Sequence, residues 1–288
     1  MELVFKFYNN QNTYLSFCHI YQEYYNWFVN YEKNVKTKVI DVSNLEHIYP
    51  GSNDSGYFLT ITNPTNKKFI VVSMWDRNLD VLNSGLGWDL DNCVEIITSC
   101  GVIGVNHYTP FTYLSYDKSF YDIINTIDTS YNLKQDLDLL FRGRLYHNRR
   151  DLHNISPNNV VDTIIPFSDY LNEITSRKIN LSLNGAGEIC HRDIEILSTG
   201  SVLFRPELNV KFHNDLTPWV HYIPFEFDLN NSPSKQWDII NSTFNSIRND
   251  DELLQKISKN SIKWYSENGT IEASIEILKN LININKLR

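Results

Sequence analysis

The 288-residue chain has few cysteines and no apolar run long enough to cross a membrane. Its cysteines are scattered and lack the close spacing of a zinc site, so we expect reduced thiols and no bound metal: Cys18, Cys93, Cys100 and Cys190. A membrane helix needs about 20 consecutive apolar residues. The chain also opens without a charged and then apolar leader, which predicts a cytoplasmic protein with no membrane span.

Positive charge is scarce as well. There are 26 Lys and Arg against 34 Asp and Glu, a net charge of −8. This excess of negative charge argues against duplex nucleic acid as a partner, whereas a local arginine cluster can still hold a small anion. Aromatic residues, in contrast, are abundant, with 17 Tyr, 15 Phe and 6 Trp. They supply flat side chains for stacking on sugars or bases.

Strand patterns alternate with helical patterns in both halves of the chain. Residues 68–74 (KFIVVSM) form a nearly continuous apolar run, typical of a strand that a parallel sheet buries on both faces. In the second half, the alternating run at 179–183 (INLSL) precedes a helical pattern at 188–197. The alternation predicts an α/β protein with two Rossmann-like domains that face each other across a cleft.

The length of the chain favours two domains of ordinary size. We predict an N-terminal domain at 1–130 and a C-terminal domain at 131–265. A final helix at 266–288 is expected to cross back to the first domain.

A glycine turn introduces the helix of the second half. Gly185 and Gly187 end the preceding strand, and a helix that begins there offers free N–H groups and a positive dipole end to a phosphate. Arg192 adds a guanidinium that can clamp a diphosphate, and Glu188 or Glu195 can accept hydrogen bonds from sugar hydroxyls. The spacing alone equally allows a plain turn followed by a solvated arginine.

Four arginines fall within nine residues: Arg142, Arg144, Arg149 and Arg150. The first two flank Gly143 directly after a predicted strand at 138–141. A positive cluster at the end of a strand and beside a glycine can grip phosphates, although a solvated run of charges is the alternative.

Asp76 follows the buried run at 68–74, where an open α/β sheet presents residues to its ligand. It is a candidate catalytic residue, although capping a turn explains the position equally well. Trp75 and Trp88 are candidates for stacking on an acceptor. Asp89 and Asp91 are spaced like a metal-binding pair, but they follow a glycine loop and not a buried strand, so no metal site is predicted.

Several of these features together resemble glycosyltransferase family 90, which includes protein O-glucosyltransferases and fungal capsule-associated xylosyltransferases. The most specific match is the heptapeptide Pro218-Trp219-Val220-His221-Tyr222-Ile223-Pro224, which follows a Gly200-Ser201 pair. FIVVSMWD matches the family's strand that ends in an aspartate, and Phe141-Arg142-Gly143 matches its Phe-Arg-Gly. The glycine turn is about one residue longer than the family's, so His191 and Arg192 both compete for the position of the helix arginine.

The resemblance covers roughly residues 68–265 and implies a GT-B glycosyltransferase. Such an enzyme would move a sugar from a UDP-sugar or GDP-sugar, bound by the C-terminal domain, to a hydroxyl of a glycan or protein, with inversion and without metal or cofactor. Asp76 would be the general base and Trp75 and Trp88 would contact the acceptor. The implied donor-binding residues are Arg142, Gly143, Arg144, Gly187, Glu188, His191, Arg192 and Glu195.

Two alternatives stay open at this point. One is a retaining transferase of the same architecture, in which the glutamates of the C-terminal helix matter more than Asp76. The other is a catalytically inactive module that binds a sugar or nucleotide. Eukaryotic members of family 90 enter the secretory pathway, so the missing leader favours a soluble enzyme of bacterial or viral type.

Overall fold

The computed structural model describes residues 1–9, 17–42, 57–73, 90–98, 101–102, 108–111, 122–131, 134, 138–145, 148–185 and 188–288. The chain divides into two compact units. The first unit comprises Met1–Tyr121, Val210–Asp215 and Thr270–Arg288, and the second comprises Asp122–Asn209 and Leu216–Gly269. Among the described helices, none combines the length and the apolar character that a membrane crossing requires.

The first unit is built on a mixed sheet. Its strands are β1 (Glu2–Asn9), β2 (Lys36–Val42), β3 (Tyr57–Thr62), β4 (Phe69–Ser73), β5 (Cys93–Thr98), β6 (Gly101–Val102) and β7 (Tyr108–Pro110), and its first helix is α1 (Phe17–Tyr31). Six of these strands pair in the order β2-β1-β3-β4-β5-β7, and β6 pairs separately with a strand at Val210–Lys211.

The run at 68–74 is a strand buried on both faces, as predicted, because all five residues of β4 are buried. Its neighbours correct the prediction of a parallel sheet: β4 is parallel to β5 but antiparallel to β3. A tight connection explains this. Asn63 donates its N–H to the Lys68 carbonyl at 2.9 Å, and Lys67 adopts a left-handed φ of 62°, so the chain reverses in a hairpin.

The end of the chain packs into the same unit. The last helix runs over Ile271–Leu281 and is followed by a short 3-10 turn at Ile284–Leu287. Apolar residues of this segment share one core with Phe5, Tyr24 and Phe28 of β1 and α1. The Leu287 carbonyl also accepts hydrogen bonds from the side chains of Asn63, at 2.7 Å, and Asn66, at 2.9 Å.

The second unit has parallel strands only, among those described. They are β8 (Phe141–Arg142), β9 (Val160–Val161), β10 (Ile179–Leu181), β11 (Val202–Pro206) and β13 (Ile223–Phe225), where β12 is the Val210–Lys211 strand of the first unit. The helices are α2 (Asn148–Ile155), α3 (Phe167–Ser176), α4 (His191–Ser198), α5 (Pro233–Ile247) and α6 (Asp251–Asn268). The final helix of the first unit is therefore α7.

The strand order of the second unit contains a reversal. β8 pairs with β9, and a backbone hydrogen bond of 3.3 Å from Leu181 to Leu140 connects this pair to the β10-β11-β13 sheet. From β8 the chain runs through α2 to β9 on one side and then through α3 to β10 on the other. The carboxyl ends of β8 and β10 thus mark the topological switch point, where open α/β sheets bind their ligands.

Helix α6 joins two segments, 251–257 and 261–265, whose sequence patterns suggest separate helices. In the structure they form one continuous helix, and two polar residues near their junction anchor it. Asn260 donates to the Val220 carbonyl at 3.1 Å, and Ser261 donates to the His221 carbonyl at 2.5 Å.

We expect Gly200→Ala to lower the free energy of unfolding by about 2–4 kcal/mol, measured by urea denaturation. Gly200 follows α4 with φ of 72°, and a Cβ there would lie 2.5 Å from the Thr129 carbonyl oxygen. Left-handed strain and a clash with backbone therefore act together. Gly200→Asn tolerates this φ but keeps the Cβ, so an equal loss in both variants assigns the effect to the clash. An unchanged midpoint for Gly200→Ala would contradict this packing.

Candidate functional site

The loop between β10 and α4 is held by a buried guanidinium. Arg205 on β11 is 1% exposed. It forms an ion pair of 2.5 Å with Asp193 and donates to the Asn184 side chain at 2.9 Å. It also donates to the backbone carbonyls of Glu188, at 2.5 Å, and Pro206, at 3.0 Å. A buried cation must be bonded in this way because desolvating it is otherwise very costly.

A second buried guanidinium supports the same loop from the other side. Arg149 on α2 donates to the carbonyls of Leu183 at 2.6 Å, Asn184 at 3.0 Å and Arg144 at 3.1 Å. Burial lowers the pKa of Arg149 from its ordinary value. The sequence groups Arg149 with three other arginines in a positive cluster, but α2 turns Arg149 into the interior, where it donates to the loop backbone.

Asp193 places the start of α4. Its carboxylate accepts the Cys190 N–H at 2.7 Å, which caps the helix at Cys190 and makes His191 the first helical residue. The predicted start at Glu188 was therefore about one turn too early. Burial raises the pKa of the Cys190 thiol, with a further contribution from Asp193.

Arg192 reaches from α4 to the carboxyl end of β8. Its guanidinium carbon lies 4.0 Å from the centre of the Phe141 ring, a cation–π contact. The guanidinium also occupies the space above Gly143, where a Cβ would come within 2.5 Å of Nη2. Gly143 is thus the residue that makes room for Arg192, and the two predicted residues meet at the switch point.

Tyr170 and Glu195 fix the orientation of this guanidinium. Nε of Arg192 donates to the Tyr170 hydroxyl at 3.2 Å, and that hydroxyl donates to Oε2 of Glu195 at 2.8 Å. Burial, with help from Glu195, raises the pKa of Tyr170, so the hydroxyl keeps its proton. Burial alone would lower the pKa of Arg192, but Tyr170 and Glu195 raise it overall, and the guanidinium stays charged.

The terminal nitrogens Nη1 and Nη2 of Arg192 have no hydrogen-bond acceptor among the residues that the structure describes. Arg142 differs, because Glu173 holds it in a bidentate ion pair with a shortest contact of 2.8 Å. Its Nη1 donates to the Thr163 carbonyl at 3.2 Å. Arg192 is therefore the better placed of the two to bind an anion.

The other predicted donor-binding residues have different environments. Arg144 and His191 are exposed at the same end of the unit. Glu188 is half-buried, and its Oε2 is shielded from solvent with no hydrogen-bond partner in the described part of the chain. Asp76, Trp75, Trp88 and Gly187 lie outside the described residues. The described residues contain no group of three His, Cys, Asp or Glu arranged to hold a metal.

Tyr170, Asp193 and Arg205 were not identified from the sequence, and Arg149 was identified only as a member of the arginine cluster. Tyr170 lies on the buried face of an amphipathic helix, where a tyrosine is expected to find a partner for its hydroxyl, but the pattern does not name that partner. The buried arginines carry no sequence signal, since arginine is usually exposed.

No family model matches the chain, and no curated protein matches it in sequence. Among solved structures, it is similar to an alpha-glucosyltransferase in complex with UDP-glucose and DNA containing an abasic site. The TM-score is 0.52 at 9% identity, over 98% of this chain and 99% of that one. A glycosyltransferase from Rickettsia africae ESF-5 matches with a TM-score of 0.34 at 15% identity, over 90% of this chain and 60% of that one.

The first similarity establishes the fold. The chain has an α/β fold of the GT-B type, as the sequence predicts. The comparisons do not separate family 90 from other glycosyltransferases, so membership of that family stays a prediction.

We expect Gly143→Ala to weaken the binding of inorganic pyrophosphate about tenfold, measured by calorimetry. The new methyl group would displace the Arg192 guanidinium, and a charge-assisted hydrogen bond contributes about 1.5–3 kcal/mol. In an Arg192→Ala background the same change should have almost no effect, since the two residues then act on one interaction. If the losses of pyrophosphate affinity in the two single variants add in the double variant, the contact between residue 143 and Arg192 is not the cause.

Proposed function

We propose that the chain is a glycosyltransferase that uses a nucleoside-diphosphate sugar as its donor. The observation that carries the proposal is the partly exposed residue Arg192, whose guanidinium lies at the switch point of the second unit with no acceptor for its terminal nitrogens among the described residues. A guanidinium in this position binds phosphate oxygens in pairs. The fold similarity to an enzyme solved with UDP-glucose supports a sugar nucleotide as the ligand.

Arg192 would stabilise the negative charge that develops on the leaving diphosphate. Phe141 and Tyr170 already hold the guanidinium, so little reorganisation is needed when the bond to the sugar breaks. Glu195 acts through Tyr170 as a positioning residue. Arg142, Arg144 and the turn at Gly187 would add further donor contacts, and Arg142 would have to exchange part of its pairing with Glu173 for the phosphate.

The transfer itself would be a single displacement with inversion and without a metal. The Asp76 carboxylate would take the proton from the acceptor hydroxyl as its oxygen attacks the anomeric carbon, while the bond to the diphosphate breaks. Trp75 and Trp88 would contact the acceptor, a glycan or a protein hydroxyl. Glu188 and His191 would contact the donor, where the shielded Oε2 of Glu188 can accept a hydrogen bond from a sugar hydroxyl.

A retaining transferase is the second candidate. The similar solved structure is named an alpha-glucosyltransferase and was solved with UDP-glucose, in which the glucose is α-linked. Transfer from that donor to an α-linked product keeps the configuration. If this chain works in the same way, the glutamates near α4 would have a larger part than Asp76.

Arg192→Ala should weaken the binding of UDP or GDP about 10- to 100-fold by calorimetry, because the charged hydrogen bonds to phosphate are lost. Arg150→Ala is the matched control: it removes the same charge from an exposed position on α2 of the same unit, and affinity should stay within about twofold. If both variants lose the same affinity for UDP or GDP, the effect is one of net charge and not of a specific contact. If Arg192→Ala binds these nucleotides as tightly as the wild type, the diphosphate site is rejected.

Asp76→Asn should slow the hydrolysis of a UDP-sugar or GDP-sugar about 100-fold or more, while nucleotide binding survives, since a general base contributes about 10²–10⁴ in rate. Water serves as the acceptor, so the unknown natural acceptor is not needed. Proton NMR of the sugar released from an α-linked donor, recorded before it mutarotates, separates the mechanisms: β-sugar first indicates inversion and α-sugar first indicates retention. Unchanged hydrolysis in Asp76→Asn would remove its assignment as the base.

A further inference from the structure

Trp219 occupies a backbone conformation that disfavours its side chain. Its φ is 63°, in the left-handed region where glycine and asparagine are the usual residues. A bulky residue there costs about 1 kcal/mol or more. Trp219 is nevertheless 48% exposed, so much of its side chain faces solvent.

The turn that carries Trp219 is firmly held. The Trp219 N–H donates to the Tyr222 carbonyl at 2.7 Å, and the His221 N–H donates to the Thr217 carbonyl at 2.9 Å. The Thr217 N–H in turn donates to Nδ1 of His221 at 2.9 Å. The anchors from α6 to the Val220 and His221 carbonyls fix the other side. The surrounding bonds therefore impose the strained conformation on Trp219.

The turn also carries a polar side chain, His221, two residues from Trp219. Because Nδ1 of His221 accepts a hydrogen bond, a neutral ring carries its proton on Nε2, which is then a donor. Burial lowers the pKa of His221, with Glu267 opposing the shift, and this favours the neutral ring. Glu267, which lies close enough to influence this pKa, is largely exposed and forms an ion pair of 3.7 Å with Lys263.

We propose that the turn at Thr217–Tyr222 is a binding platform for a neutral oligosaccharide, with the Trp219 indole stacking on a pyranose ring. A flat, electron-rich face on the same turn as a hydrogen-bond donor matches the C–H face and the hydroxyls of a sugar. The net charge of −8 disfavours a polyanion.

This platform is separate from the Arg192 site. The turn leads into the amino end of β13, whereas Arg192 lies at the carboxyl ends of β8 and β10 in the same parallel unit. The proposal therefore does not rest on the proposed transferase activity. A chain that binds oligosaccharide without transferring sugar would keep the platform and lose the proposed function.

The test is titration of the full chain with maltohexaose, cellohexaose, xylohexaose and chitohexaose, followed by NMR and calorimetry. We expect at least one to bind in the wild type and to lose at least about tenfold in affinity in Trp219→Gly. The variant relieves the left-handed strain but also loses the covered part of Trp219 and makes the unfolded chain more flexible, so its melting temperature should stay within about 4 °C of the wild type. A loss of sugar binding in a variant that still unfolds cooperatively excludes misfolding as the explanation.

Three further measurements make the outcome decisive. Leu229→Ala removes another exposed apolar side chain of the same unit, 82% exposed, and should leave sugar binding unchanged. UDP and GDP affinity should be unaffected by Trp219→Gly. If none of the four sugars binds, or if Trp219→Gly binds them as well as the wild type, the proposal is wrong. A concentration-dependent dimer that Trp219→Gly abolishes would instead assign the surface to self-association.

Discussion

The ion pair between Arg205 and Asp193 is the constraint on which the candidate site depends. Asp193 is fully buried and has two tasks, because the same carboxylate caps α4 and accepts from Arg205 on β11. The start of the helix is thereby tied to the neighbouring strand. A buried pair of this kind adds little net stability, since desolvation opposes the attraction, but losing one partner would strand the other charge. Its contribution is to specify a single position for α4, and therefore for Arg192.

The charge of the site is arranged so that one cation stays available. Arg149 and Arg205 donate hydrogen bonds to the loop between β10 and α4, and Glu173 neutralises the charge of Arg142. Arg192 is oriented through Tyr170, a neutral group, and not through a direct carboxylate contact that would satisfy its terminal nitrogens. Placing a hydroxyl between Arg192 and Glu195 holds the guanidinium in place and leaves its outer edge for an anion.

The sequence predicted the parts of the fold that depend on local pattern. The apolar run of β4, the strand β10 and the helix with Arg192 follow from periodicity and from the glycine turn. The hairpin between β3 and β4 was missed because it depends on how Asn63 and Lys68 bond across a turn. Local sequence patterns do not predict which arginines are buried, because a buried cation depends on acceptor oxygens from distant parts of the chain. The meeting of Gly143 and Arg192 likewise requires β8 to lie near β10, where a backbone hydrogen bond from Leu181 to Leu140 links the two sheets.

A side chain is sterically disfavoured both at position 143 and at position 219, yet only the first position is a glycine. At Gly143 the missing side chain leaves space for a guanidinium, so a larger residue there would displace the end of the Arg192 side chain. At Trp219 the backbone conformation favours glycine, yet a large exposed ring stands there. A glycine at the second position would remove the left-handed strain, whereas Trp219 keeps it and leaves much of its side chain open to solvent. Residues that break a local rule without a compensating contact in the fold are expected where a surface serves a ligand. An exposed tryptophan at a position whose backbone favours glycine is therefore a candidate for ligand binding.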